Sequence, residues 1–360
     1  MSGETPGSRM TYGNYLQLDE LLSLQSGPEG HKPPPSNHEM HFIVVHQAFE
    51  LWFKQVNCEL EEALILMNVA EVDEKNIPVI VSHLERCSEI FRLLASQWKV
   101  METLAPQDFL AFRDRLGTSS GFESWQMRTL EMLMGLKSEQ RIGGMDPMVH
   151  NRKLHSEGKL SDSVMDNMNR IDNLPSLNEV LLRWLARTPV NGISGDTAVL
   201  QEFVEGHLSV MSEHAESVIA HMVKIGHGTE EAVRPRIESG IDGAREYLLP
   251  EGEVVPARAG LLFIESYREL PLLSWPRRLI DTVVDLEQAM LLFRSHHARM
   301  VERMIGRRMG TGGSSGVDYL DMTLKYRVFT DLWEIRTMLV KRDVLKDPIN
   351  PEFYGYAVDN

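Results

Sequence analysis

The stretch LIDTVVDLEQAMLLFRSHHARMVERMIG (279–306) decides the fold. Its apolar side chains recur every three or four residues, the spacing that places them on one face of an α-helix. A glycine directly after such a stretch is a typical helix end. The sequence therefore predicts a long helix that turns one continuous face inward. The residues on that face are Leu286, Met290, Phe293, His297, Met300 and Met304.

The same helical spacing recurs in four other parts of the chain. These segments are 38–68, 78–104, 121–136 and 196–224. Helix ends are expected at Gly135, Gly226 and Gly306. Strand-like alternation is scarce, and its nearest candidate, VVPARAGLLFI (254–264), reads equally well as a helix start. We therefore expect an all-α fold, a helical bundle.

The segments between these helices differ in composition. Residues 1–10 and 27–37 are polar and rich in proline and glycine, so we expect a flexible tail and a loop. Residues 138–175 are polar and weakly periodic, which suggests a long surface excursion. Residues 227–256 resemble an inserted helical pair with acidic loops. The middle of the chain is thus the least certain part of the bundle.

Composition excludes several classes of function. The 360 residues carry 52 acidic and 37 basic side chains, a net charge of −15, which disfavours binding to nucleic acid or to an anionic membrane. Two cysteines, Cys58 and Cys87, are too few for a disulfide scaffold or a four-thiolate zinc site. The first ten residues lack the apolar core of a secretion signal, and no apolar run is long enough to span a bilayer. We expect a soluble protein of a reducing compartment, the cytoplasm.

Three of the thirteen histidines lie close together in NHEMHFIVVHQAFELWFKQ (37–55). A zinc-protease helix needs two histidines four residues apart, and His38 and His41 are one residue too close. His46 is different, because helical spacing places it on an aromatic stripe with Phe42. It is either a core histidine bonded to a carbonyl group or a polar contact for a flat, apolar ligand.

Three further histidines, His207, His214 and His221, repeat at intervals of seven residues. Seven residues of α-helix rise by roughly 10 Å. That separation is too large for one metal ion, so we expect a half-buried helix face instead.

His297 lies on the apolar face of the long helix, whereas its neighbour His296 shares a face with charged residues. An imidazole in an apolar, methionine-rich slot is what a proximal haem ligand requires. A packed core histidine remains the alternative, because periodicity does not distinguish the two.

The segment GTGGSSG (310–316) follows this helix directly. Four glycines among hydroxyl side chains suit a close backbone approach to an anion or a polar ligand, although a plain flexible loop has the same composition. It lacks a P-loop lysine and no strand precedes it, so neither nucleotide-binding fingerprint applies. Earlier in the chain, Arg113 and Ser120 flank a turn, and arginine suits bidentate capture of a carboxylate.

Taken together, these segments resemble tryptophan 2,3-dioxygenase, a family of haem enzymes of tryptophan catabolism. The similarity covers most of 11–137 and 260–340. The stretches that carry it are TYGNYLQLDELLSLQ (11–25), HEMHFIVVHQAFELWFKQ (38–55), FLAFRDRLGTSSGFESWQMR (109–128), YRELPLLSWPRRLIDTVVDLEQAMLLFRSHHARMVERMIG (267–306) and GTGGSSGVDYL (310–320).

The resemblance implies a helical homotetramer with one haem b per subunit. Residues 11–360 would form a single haem-binding catalytic domain, with a weakly matched insertion at about 138–255. The enzyme would use O2 to cleave the C2–C3 bond of the indole ring of L-tryptophan, giving N-formylkynurenine, the entry to the kynurenine pathway. A sibling oxygenase of specialised metabolism is the alternative. It would act on a substituted tryptophan and could insert a single oxygen atom.

The resemblance also implies residue roles. His297 would be the axial iron ligand, which agrees with its place on the apolar face. His46 would accept a hydrogen bond from the indole N–H and orient the ring. The remaining substrate contacts implied are Phe42 and Phe109 along the indole, Arg113 and Thr311 at the amino-acid end, Ser120 near the haem edge, and Tyr12 and Tyr15 from a neighbouring subunit.

Two other classes of function stay open on the sequence. One is a haem sensor or carrier without turnover, against which Arg113 and Thr311 argue, because a gas sensor needs no clamp for an amino acid. The other is a non-haem metal enzyme built on His38, His41 and His46.

Overall fold

The computed structural model describes residues 10–26, 33–117, 119–310 and 316–355. No strand occurs in those ranges, where the one β feature is an isolated bridge between Val190 and Ile193. The expected all-α fold is confirmed. The α-helices are α1 Tyr12–Leu16, α2 Leu18–Leu21, α3 Asn37–Met67, α4 Ile77–Met101, α5 Pro106–Arg113, α6 Trp125–Met134, α7 Pro147–Ser156, α8 Asp162–Asp172, α9 Leu177–Leu185, α10 Thr197–Lys224, α11 Glu230–Leu248, α12 Pro256–Ser266, α13 Ser274–Ile305, α14 Val317–Thr323 and α15 Thr330–Glu334.

Short 3₁₀ turns connect several of these helices. They are Glu74–Asn76, Asp114–Leu116, Gly121–Glu123, Ser138–Gln140, Ile142–Gly144, Pro250–Gly252, Pro271–Leu273, Ile335–Met338, Arg342–Val344 and Pro351–Tyr354. No helix in the part of the chain described is both long enough and apolar enough to cross a membrane.

Helix α4 is packed between α3 and α13 at the centre of the molecule. It runs antiparallel to α3, since Gln97 Nε2 donates to the Val45 carbonyl at 3.2 Å near one end and Arg86 binds Glu59 near the other. It runs parallel to α13, since Arg278 binds Glu85 near the start of both helices and a ring nitrogen of His296 contacts the Ala95 carbonyl at 2.8 Å further along both. These three helices form the frame on which the candidate site is built.

The inward face of α13 is as the sequence predicts. Its apolar members are all buried, because each meets side chains of the neighbouring helices in one continuous core: Leu286, Met290, Phe293, Met300 and Met304. The helix ends at Ile305, and Gly306 adopts a φ of 61°, a left-handed conformation that favours glycine. Gly135 and Gly226 also follow helix ends at positive φ, as expected.

The middle of the chain differs from the sequence-based expectation in two places. Residues 138–175 contain α7 and α8, which pack on α6 through a small methionine core, so they are not a plain surface excursion. The widely spaced apolar residues of that core gave no visible period. Residues 227–256 contain one helix, α11, and not a pair; α11 packs on α10, where Arg234 binds Glu216. Of residues 254–264, the part from Pro256 onward belongs to helix α12, so the helical reading of this stretch is confirmed.

The two cysteines are free and lie in different environments. Cys58 is exposed on α3, whereas Cys87 is buried on α4 with its sulfur 3.8 Å from the Val56 carbonyl. Burial raises the pKa of the Cys87 thiol.

Candidate active site

His297 points from α13 into the aromatic centre of the bundle. Its ring stacks on the indole of Trp98, with ring centroids 4.5 Å apart and planes inclined by 10°. Burial, and then the nearby charge of His46, lower the pKa of His297 to about 4. No residue of the described part of the chain forms a hydrogen bond with its ring. The imidazole is therefore neutral at pH 7 and keeps a lone pair on one ring nitrogen.

His296 lies on an adjacent face of the helix, about 100° from His297. It is exposed, and its Nδ1 contacts the Ala95 carbonyl at 2.8 Å. Of the two adjacent histidines, His297 faces the interior, as the helical spacing predicts.

His46 packs near the same indole from α3, with its ring centroid 6.5 Å from that of Trp98. Its Nδ1 lies 2.8 Å from the Phe42 carbonyl oxygen. Because a carbonyl oxygen can only accept, Nδ1 carries the proton and Nε2 has the lone pair. Burial lowers the pKa of His46, although the bond to Phe42 opposes this, so the neutral form is favoured. The Nε2 atom is thus a hydrogen-bond acceptor at physiological pH.

Aromatic side chains form the wall beside His46. The Phe42 ring lies 4.0 Å from the His46 ring, 5.9 Å from Phe109 and 5.6 Å from Phe112. Phe42 and His46 share a helix face, and α5 brings Phe109 and Phe112 against it. Flat rings at such distances suit the binding of another aromatic ring.

Arg113, at the end of α5, joins the wall to the glycine-rich segment. Its Nη2 donates to the Met309 carbonyl at 2.6 Å, directly before GTGGSSG (310–316). Thr311 lies outside the described residues. The bond from Arg113 to Met309 is directly before the glycine-rich segment that contains it. The guanidinium therefore sits between α5 and the chain that leaves α13.

Ser120 caps the turn Gly121–Glu123 that leads into α6, with its Oγ accepting from the Phe122 N–H at 3.3 Å. The Phe122 ring packs 4.7 Å from Tyr319 of α14. This turn thus contacts the helix that follows the glycine-rich segment.

Tyr12 and Tyr15 do not enter the pocket of their own chain. They are 77% and 74% exposed on α1. The segment that carries them is held on α3 beside His46, where Gln25 donates to Gln47 at 2.6 Å and Gln47 donates to the Leu24 carbonyl at 3.0 Å. Their rings are free to contact another molecule.

No group of three or more histidine, cysteine or acidic side chains able to hold a metal ion occurs in the ranges described. His38 lies 3.7 Å from Asp108, and the His41 ring contacts the Val100 carbonyl at 3.1 Å. Neither joins His46, so the non-haem metal site is not formed by these residues. His207, the buried start of the seven-residue series, is bonded to the Met338 carbonyl, and His221 at its end is exposed.

Sequence reasoning missed Trp98. Its indole stacks on His297 and lies 6.5 Å from the His46 ring, so it contacts both histidines. Its Nε1 is buried and has no partner among the described residues. The helical period of 78–104 places Trp98 on a buried face with Phe91 and Leu94, but that pattern indicates only a core residue.

Comparisons with known proteins identify the family to which the chain belongs. The family model described as tryptophan 2,3-dioxygenase matches residues 2–339, including the region 138–255. Tryptophan 2,3-dioxygenase 2 of Ralstonia nicotianae is 40% identical over 97% of this chain and 98% of its own length. The tryptophan 2,3-dioxygenases of Sorangium cellulosum and Anopheles gambiae are 38% and 35% identical, over 98% and 92% of this chain and 88% and 86% of their own lengths. The chain therefore belongs to the tryptophan 2,3-dioxygenase family.

Proposed function

We propose that this protein oxidises L-tryptophan with O2, opening the C2–C3 bond of the indole ring to give N-formylkynurenine. The observation that carries the proposal is a pair of neutral imidazoles, His297 and His46, that face one aromatic pocket. One ring has no hydrogen-bond partner among the described residues and the other presents an acceptor nitrogen. This difference is what we expect if His297 binds a metal and His46 accepts a hydrogen bond from the substrate.

Two features of the site support haem b as cofactor. The uncharged, unbonded ring of His297 is the state that binds iron, because a protonated imidazole has no lone pair to donate. The orphaned N–H of Trp98 beside it would find an acceptor on a polar group of the cofactor. Haem supplies the redox chemistry by which O2 reacts with an indole ring.

The chain's own contribution is binding and orientation. His46 Nε2 would accept the indole N–H, while Phe42 and Phe109, which pack against each other, would form one wall along the ring. In this role His46 orients the substrate and need not remove a proton. The apolar lining keeps bulk water away from the reacting carbons.

The amino-acid end of the substrate would lie toward the glycine-rich segment. Arg113 would form paired hydrogen bonds with the carboxylate, and its contact with the Met309 carbonyl, directly before the glycine-rich segment, supports this role. Thr311 is proposed as a further contact there, and Ser120 as a residue at the haem edge.

A homotetramer would complete the site. The N-terminal segment exposes several large apolar side chains that a neighbouring subunit could cover: Met10, Tyr12, Tyr15, Leu22 and Leu24. We propose that Tyr12 and Tyr15 close the pocket of the adjacent subunit. The cytoplasmic location and the place in the kynurenine pathway stay predictions from the sequence.

The deciding experiment is incubation of the reduced, haem-loaded protein with L-tryptophan and O2. We expect N-formylkynurenine, identified by its absorbance and by a mass increase of two oxygen atoms. A gain of one oxygen atom would instead identify the sibling oxygenase. Haem binding with no product, together with an Arg113→Ala variant that binds tryptophan as the parent does, would identify a sensor or carrier.

A further inference from the structure

Arg115 connects the end of α5 to the start of α3. Its Nη1 lies 2.9 Å from Oε2 of Glu39, in the first turn of α3, and its Nη2 donates to the Pro33 carbonyl at 2.7 Å, in the segment before that helix. Glu39 is only 5% exposed. A carboxylate is buried only where a cation or another donor compensates for its lost hydration. This pair is therefore a specific contact between the two helices and not a surface ion pair.

Glu39 shares a helix face with residues proposed to contact the indole. Phe42 and His46 follow it on α3 by three and seven residues, a spacing that places all three on one side of the helix. The same side receives α5, whose Phe109 and Phe112 rings lie 5.9 Å and 5.6 Å from the Phe42 ring. The ion pair made by Glu39 thus lies one helical turn from the aromatic wall.

The backbone between Arg113 and Arg115 is helical throughout. Arg113 is the last residue of α5, and the 3₁₀ turn Asp114–Leu116 follows without a break, with φ and ψ of −51° and −41° at Arg113 and of −65° and −21° at Asp114. A shift of Arg115 relative to α3 would therefore carry Arg113 with it. An eight-residue helix such as α5 is marginal by itself in water, so its contacts with α3 must fix its position.

We propose that Arg115 is a positioning residue that fixes the Arg113 guanidinium relative to His46. It acts through its ion pair with Glu39 and does not itself touch the substrate. The inference rests on the proposed function, which assigns Arg113 to the substrate carboxylate and His46 to the indole N–H. Arg115 thus sets the distance between the two groups that bind opposite ends of tryptophan.

Arg115→Met tests the proposal, because methionine keeps an apolar stem but removes both polar contacts. In Soret titrations of the haem-loaded protein, L-tryptophan and indole-3-propionate, which both carry the carboxylate, should bind about tenfold more weakly than to the parent. Tryptamine, which lacks the carboxylate, and 3-methylindole, which lacks both the amino and the carboxylate groups, should bind variant and parent equally. Equal weakening of all these ligands would show a general distortion of the pocket and overturn the positioning role, as would an unchanged affinity for L-tryptophan.

A double-mutant cycle shows whether Arg115 acts through Arg113. Once Arg113→Ala has removed the clamp, its position no longer matters, so adding Arg115→Met should not weaken tryptophan binding further. A further tenfold loss in the combined variant would mean that Arg115 affects tryptophan binding independently of Arg113, and the proposal would be wrong.

His38→Gln is the matched control. It breaks another contact between the first turn of α3 and α5, in which His38 lies 3.7 Å from Asp108, but both of these side chains are exposed. Because surface ion pairs contribute little, its tryptophan affinity should equal that of the parent. A tenfold loss here too would show that any contact between the two helices has this effect, and would remove the special role of Arg115.

Amide hydrogen exchange separates the anchor from the proposed function, since it uses the full-length protein as purified and needs no ligand. Residues 106–116 should exchange about tenfold faster in Arg115→Met and at the parent rate in His38→Gln. Unchanged exchange in Arg115→Met would overturn the anchor, whatever the haem content. If exchange is faster but the parent does not bind tryptophan, the proposed function and the positioning of a clamp both fail, whereas the anchor between α3 and α5 stands.

Glu39→Gln combined with Arg115→Met keeps the proposal testable if Arg115→Met alone does not fold. The two changes together leave no buried charge without its partner. We expect the same selective loss, about tenfold for L-tryptophan and indole-3-propionate and none for tryptamine or 3-methylindole. A folded protein with both changes that matches the parent in tryptophan affinity and in exchange of residues 106–116 would overturn the proposal.

Discussion

Acidifying the haem-free protein tests whether His297 is held neutral in an apolar setting. The pKa of His297 is lowered from 6.5 to about 4 in the folded protein. A group with a depressed folded pKa stabilises the fold above its unfolded pKa and loses that contribution as the pH falls through the folded value. The window is therefore pH 6.5 to about 4. In that range His297 is protonated in the unfolded chain but stays neutral in the folded chain, so the folded state becomes less stable relative to the unfolded state.

The size of the effect follows from the shift. One pKa unit corresponds to about 1.4 kcal/mol. The lowered pKa of His297 therefore accounts for at most about 3 kcal/mol of the pH-dependent free energy of unfolding. About 2 kcal/mol of this should be lost between about pH 7 and about pH 5. Urea unfolding at fixed protein concentration measures the loss, because oligomerisation would otherwise change the apparent stability.

His297→Leu isolates this contribution, since leucine fills a similar volume and does not titrate. The variant should lose about 2 kcal/mol less than the parent over the same pH change. His221→Leu, at an exposed position, is the matched control and should follow the parent. If His297→Leu and the parent lose the same stability, the imidazole is not held neutral by burial, and the argument that it is ready to bind iron fails.

Three further predictions concern the substrate. His46→Leu should weaken L-tryptophan binding roughly three- to tenfold in a Soret titration but leave 1-methyl-L-tryptophan, which has no indole N–H, unaffected; equal losses would contradict the acceptor role. Arg113→Lys should weaken L-tryptophan about tenfold and spare 3-methylindole, because lysine cannot form the paired contact; unchanged tryptophan affinity would exclude the clamp. Tyr12→Ala and His297→Ala should each be inactive alone. When the two variants are co-expressed in mixed oligomers, activity should return at up to about a quarter of the sites, because a working site needs His297 from one subunit and Tyr12 from its neighbour. No recovery would contradict the shared site.

The helical frame was predictable because its periodicity is strong. The inward face of α13, the separation of His297 from His296 and the ends at Gly135 and Gly306 all follow from local rules of spacing and backbone conformation. These rules need no knowledge of the partner helices. The helices α7 and α8 were not predicted, because a few methionines spread over two short helices leave no visible period.

The site was predictable only in part. His46 and His297 stand out by type and spacing, yet the sequence does not show that both contact Trp98. The bond from Arg113 to Met309 joins residues almost two hundred positions apart, so no local pattern indicates it. The burial of Arg294 on α13, where it binds Glu131 of α6, was not predicted either. Charged residues are normally solvated, and its burial depends on an acceptor from a distant helix.

The different exposure of the two cysteines allows a probe to be attached at one position of the native chain. A thiol-directed dye or spin label added to the native chain would attach at exposed Cys58 and spare buried Cys87, whose raised pKa disfavours the reactive thiolate. Cys58 and His46 lie twelve residues apart on the single helix α3, a rise of about 18 Å. A probe there has a fixed distance to the pocket, so paramagnetic broadening or energy transfer could follow cofactor and substrate arrival without any engineered residue.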